Sequence, residues 1–105
     1  MPAAARLIAS YDELVAAIRD RVDELNISRN EIDRQAGLSS GHSGKLLGAK
    51  QAKRFGSVSL GPMLGAVGCK LLLVEDPDQT AKIRARAEPR HVEQVRYKPA
   101  KEMSL

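Results

Sequence analysis

The chain has 105 residues, 43% of them apolar, enough for one modest core but with no room for a separate catalytic domain. Its single cysteine, Cys69, excludes a disulfide framework and an intrachain thiolate metal cluster. No apolar run approaches the roughly 20 residues needed to cross a bilayer, and the N-terminus is too short in apolar residues for a secretory signal, so a cytoplasmic protein without membrane contact is expected.

A net charge of +4 suggests a polyanionic partner, and its distribution says more than its total. Residues 10–36 hold seven acids against four bases, whereas residues 40–54 carry Lys45, Lys50, Lys53 and Arg54 and no acid. A protein with one phosphate-facing side would show this segregation. A solvated basic loop would show it too.

Residues 1–9 are small and weakly patterned and read as an N-terminal arm. From Ser10, capping-box spacing to Glu13 starts a helix. Leu14, Val15, Ile18, Val22 and Leu25 recur on its core face, with Asp20, Asp23 and Glu24 opposite. A second capping box, Ser28 with Glu31, starts a helix over Arg29 to Ala36, with Ile27 and Ile32 at staple positions. Gly37 follows as a left-handed C-terminal residue, Leu38 tucks into the core, and Ser39 is expected to cap the next helix, residues 40–47, which ends near Gly48. Two internal glycines weaken that helix by roughly 2 kcal/mol against alanine, so packing or a ligand must hold it.

Residues 49–57 read as a basic loop anchored by Phe55. Ser59 is expected to cap a further helix with Pro62 in its first turn and an apolar stripe of Leu60, Met63, Leu64 and Val67, stopped by Gly68. The run Cys69 to Glu75 is apolar at Leu71 to Val74 without alternation, and reads as a strand buried on both sides. The chain offers it only residues 92–98 as a weak internal partner, so pairing with the same strand of a second copy is the economical arrangement, with Lys70, Leu71, Leu72, Leu73 and Val74 at the dimer interface. A buried helical extension is the alternative. Residues 77–105 are expected to be a basic, partly disordered tail with a short helix over Asp78 to Ala87.

Catalytic and metal chemistry find little support. The string SGHSGK resembles a phosphate loop superficially, but Ser39 stands where the first Gly is required and Leu46 where Ser or Thr is required. His42, His91 and Cys69 lack ligand spacing, and no base or orienting acid accompanies Ser43. No enzyme activity, metal or cofactor is expected.

Ile27, Ser28, Glu31, Ile32, Ala36, Gly37, Leu38, Ser39 and Leu46 together resemble the helix-turn-helix core of the lambda-repressor/Cro-like (XRE) family. The later stretch SLGPMLGAVGCKLLLVED is similar to the helix-then-strand ending of antitoxin-type members. The resemblance covers residues 10–76 and implies a mainly α fold: a four- to five-helix lambda-repressor-like domain followed by one short β-strand that pairs across a dimer. Asp33 and Ser43 depart from the family pattern, which usually has a small residue at the first position and a branched aliphatic at the second.

The resemblance further implies a homodimer that binds double-stranded DNA at an inverted repeat, with residues 40–47 in the major groove. Ser40, Gly41, His42 and Lys45 would face the groove. His42 could bond a base edge or stack on a sugar, and Lys45 could reach guanine or only a phosphate. Arg29, Asn30 and Ser39 would meet phosphate, with Lys50, Lys53 and Arg54 following the backbone. Gly41 and Gly44 would allow close approach to the groove or avoid a clash with the preceding helix. Transcriptional repression competes with an antitoxin-like role in which the tail neutralises a toxin-type protein partner, and a helical hairpin without DNA function is the plain alternative.

Overall fold

The computed structural model describes residues 5–90 and is mainly helical, with five helices and no strand among those residues. They are α1 (Tyr11–Leu25), α2 (Arg29–Ala36), α3 (His42–Leu47), α4 (Leu60–Ala66) and α5 (Pro77–Arg86). The chain divides into two compact units, Met1–Leu71 and Leu72–Leu105.

In the first unit the periodicity of α1 buries Val15, Ile18 and Val22, with Leu14 half-buried beside them. Leu25, expected on the same face, is exposed in the last turn. Ile32 of α2, Leu46 and Leu47 of α3, and Met63 and Val67 at α4 complete the core. Burying a side chain of this size contributes about 1.5–3 kcal/mol relative to exposure. Helix α2 packs against both α3 and α4, and α1 against α3.

The helix boundaries follow local chemistry in part. Ser10 and Ser28 accept from the amides of Glu13 and Glu31, each at 3.1 Å, as their spacing predicts. Neither capping box closes reciprocally. The Glu13 carboxylate accepts from the amide of Ala9, and the Glu31 carboxylate from Arg34 and Gln35. The guanidinium of Arg34 and the amide of Gln35 hold the Glu31 carboxyl below its ordinary range, and Glu31 raises Arg34 in return. Gly37 has φ +70°, a left-handed conformation that costs other residues a Cβ clash. The amide of Leu38 donates to the carbonyl of Asp33 at 2.8 Å, so α2 ends in a Schellman arrangement with Leu38 against the core. Helix α4 ends in the same way through the amides of Gly68 and Cys69.

Two arginines of α1 close helix ends elsewhere. Arg19 Nε donates to the carbonyl of Leu47 at 2.9 Å, and Arg21 Nε to that of Val67 at 3.0 Å. Each places positive charge at a helix C-terminus, where the carbonyls lack partners and the dipole is negative.

Two expected caps differ. Ser59 precedes α4, but its hydroxyl accepts backward from the amide of Gly56 at 3.0 Å and tightens the loop instead. Ser39 does not cap α3, which begins at His42 after Gly41. The cause is Asp33, described below.

The run expected as a strand, Leu71 to Val74, is extended and exposed, with Leu73 at 98%. A strand needs a partner for its backbone groups, and none is assigned to this run among the described residues. In the second unit α5 starts at Asp76, whose side chain accepts from the amide of Gln79 at 3.1 Å, with Pro77 in the first turn. Every described residue of this unit is exposed. The candidate pairing segment 92–98, most of the tail and residues 1–4 of the arm lie outside the described residues. Among the described residues no helix is long and apolar enough to cross a membrane.

Candidate nucleic-acid interface

Helix α3 is six residues long, contains Gly44 and has no side-chain cap of its own. It is held from α2. Asp33, 3% exposed, accepts from the amide of Gly41 through Oδ2 at 2.9 Å and from the amide of Ser43 through Oδ1 at 2.8 Å. Ser43, fully buried, donates its hydroxyl to the carbonyl of Arg29 at 3.0 Å. A buried acid of α2 would be costly if unpaired, but here both carboxylate oxygens meet amides that the start of α3 leaves without partners. Among the described residues no buried side-chain nitrogen or oxygen lacks a hydrogen-bond partner.

Asp33 and Ser43, the two residues at odds with the expected pattern, are therefore both satisfied at one contact. A small residue against a branched aliphatic would give an apolar contact between the helices. Asp33 and Ser43 instead give a polar contact between α2 and the start of α3. The capping function expected of Ser39 is taken by Asp33 because Gly41, at φ +86°, turns the chain so that its amide points back at α2. Ser39 and Ser40 consequently lie in the exposed turn, the carbonyl of Ser39 accepting from the amide of His42 at 3.0 Å.

The remaining candidate residues fall into two groups and a few isolated positions. His42, Lys53 and Arg54 line one open groove with Leu38 and Val58. Asn30 and Ser40 line a smaller hollow that shares Leu38, together with Asp33 and Arg34. Lys45 is exposed on α3, and its carbonyl accepts from the amide of Lys53 at 3.2 Å, which ties the basic loop back to the helix. Arg29 is half-buried, while Lys50 is exposed in the turn after α3 and lines neither concavity. A Cβ built at Gly41 or Gly44 meets nothing within 4 Å, so neither glycine avoids a clash with the preceding helix. Gly41 is required by its backbone; Gly44 leaves open space beside α3.

The loop is anchored by Phe55, as expected, and by a residue that sequence reading passed over. Tyr11 Oη accepts from the amide of Phe55 at 2.7 Å, the two rings are tilted at 6.4 Å, and the guanidinium of Arg54 lies 3.9 Å from the centre of the Tyr11 ring. The ion pairs among the described residues employ Arg6, Arg21 and Arg34, and none employs Lys45, Lys50, Lys53 or Arg54. Spacing within the motif could have suggested Asp33 as a cap, since it stands eight residues before Gly41. No local signal links Tyr11 to a loop 44 residues away.

No protein-family model, no curated protein and no solved structure matches the chain.

Proposed function

We propose that this protein is a sequence-specific DNA-binding transcriptional regulator, most simply a repressor, that acts as a homodimer with α3 in the major groove. The observation that carries this reading is the acid-free exposed surface formed where His42 and Lys45 of α3 meet Lys53 and Arg54 of the loop. Lys45, Lys53 and Arg54 there, three cations unpaired with carboxylates among the described residues, suit a line of phosphates. The open flank at Gly44 lets a groove wall come close to α3. Lys45 and His42 are then the side chains nearest base edges, with Asn30, Ser39 and Ser40 toward the sugar-phosphate backbone.

Dimerisation follows from the run Lys70 to Val74, which leaves apolar side chains and backbone groups in water. Antiparallel pairing with the same run of a second copy buries both and brings two α3 helices to an inverted repeat with half-sites about 34–36 Å apart.

The test is binding to the DNA upstream of the protein's own gene across a series of salt concentrations. A site bound over random duplex, with Lys45→Ala losing about 1–3 kcal/mol at one base position, supports base reading by Lys45. Uniform loss across sequences makes Lys45 a phosphate contact, and absence of any salt-dependent binding rejects the reading. Sedimentation of Leu72→Asp tests the dimer, which is refuted if that variant remains fully dimeric.

A second reading, an antitoxin-like interaction protein, is favoured by one observation: α5 is exposed on every side, a state that a protein partner can relieve. Removal of residues 77–105 discriminates the two. Unchanged affinity for the upstream DNA with loss of a stoichiometric, neutralised partner supports the second role, and the two roles are compatible in one chain.

A further inference from the structure

We propose that Tyr11 and Arg54 form a preordered phosphate clamp, in which the α1 ring holds the loop guanidinium flat so that its free edge takes a phosphodiester oxygen pair of duplex DNA. The inference rests on the DNA-binding reading above and adds a positioning residue from outside the helix-turn-helix segment.

Arg6, Arg21 and Arg34 are each paired with a carboxylate, whereas among the described residues Arg54 has neither an ion pair nor a side-chain hydrogen bond. An exposed arginine in that state ordinarily samples many rotamers and loses that freedom on binding. Here the guanidinium carbon lies 3.9 Å from the Tyr11 ring centre, within cation–π range. Stacking engages the face of the planar group and leaves its N–H edge available, which is the edge that pairs with phosphate in two parallel bonds.

The ring is itself fixed. Tyr11 is the first residue of α1, directly after the Ser10 cap, and its hydroxyl oxygen accepts from the amide of Phe55, the residue adjacent to Arg54. One side chain thus grips the loop twice, by backbone at Phe55 and by side chain at Arg54. Arg54 also lines the groove shared with His42 and Lys53, so the held cation stands beside the start of α3. Tyr11 acts through Arg54 and is a positioning residue.

The experiment uses the full chain and a 30-base-pair random-sequence duplex, so that no operator is needed, with affinity read by fluorescence anisotropy between about 50 and 200 mM salt. Arg54→Ala should lower the slope of log K against log salt by about 0.9, the share of one phosphate contact. Arg54→Lys keeps the charge and the slope but loses the stack, and should weaken binding about two- to fivefold. Tyr11→Leu should weaken the wild-type chain by a similar factor yet have no further effect in the Arg54→Ala background, because the two act as one unit. Tyr11→Phe keeps the ring but loses the acceptor for the Phe55 amide, and should fall between wild type and Tyr11→Leu. Equal losses from Tyr11→Leu in both backgrounds would make Tyr11 merely structural and overturn the clamp, as would wild-type affinity in Arg54→Lys, an exposed change that spares folding. Failure of the wild-type chain to bind the duplex at any salt would instead reject the DNA-binding reading itself.

Discussion

Helix α2 is bounded by residues of its own stretch: Ser28 caps its start, Gly37 ends it, and Ile27 and Ile32 pack on either side of the cap. Helix α3 has no such residues. It begins at a left-handed glycine, is shorter by two residues, and has its first amides bound by Asp33 and its last carbonyl by Arg19. The helix that carries the proposed base-reading side chains is therefore the one whose position is set entirely by its neighbours. Because Gly44 weakens it intrinsically, its geometry reports the state of α1 and α2 more faithfully than its own propensity would allow.

The comparison breaks most directly at Asp33. Asp33→Ala leaves the amides of Gly41 and Ser43 without an acceptor at a buried contact, and should cost about 2–3 kcal/mol in urea unfolding. Ser28→Ala at the start of α2 should cost about 1 kcal/mol, the usual value for an exposed cap. Equal losses would mean that α3 is no more dependent on its neighbour than α2 is on itself.

A second pair of substitutions separates Gly41, which precedes α3, from Gly44 within it. Gly41→Ala forces a Cβ into the left-handed region and should destabilise by about 1–2 kcal/mol. Gly44→Ala enters open space in a helix and should stabilise by up to about 1 kcal/mol while weakening DNA binding if that flank meets the groove. Thermal unfolding with parallel binding to duplex DNA measures both signs.

The smallest effect lies on the exposed face of α2. The carboxyl of Glu31 is held below its ordinary value of 4.5 by Arg34 and Gln35. Its contribution to stability is complete above the unfolded value and is lost as pH falls through the depressed folded one. Glu31→Gln should therefore differ slightly from the parent at neutral pH and converge with it in acid, and added salt should shrink the difference, since the pair is exposed.

Much of the first unit was legible without coordinates. Apolar spacing identified most of the buried faces of α1 and α4, and Ser28 with Gly37 bounded α2 to the residue. These features are local: an amide and a hydroxyl three residues apart, or a turn that only glycine enters without strain, are fixed by the chain's own geometry. The start of α3 is not legible locally, because Ser39 has the right chemistry for a cap while the acceptor that wins stands on another helix. Likewise, Phe55 announced itself as a loop anchor by being the only large apolar residue there, but Tyr11 gave no sign of gripping the same loop.

For residues 27–54, sequence alone determined that two short helices joined at Gly37 precede an acid-free basic stretch. Only tertiary structure decided that Asp33 and Ser43, apparent faults in the pattern, are the contact that holds α3, and that Tyr11 orders Arg54. The physical reason is range. Caps and periodicity act within a few residues, whereas a buried carboxylate or a stacked ring finds its partner through the packing of helices that the sequence separates.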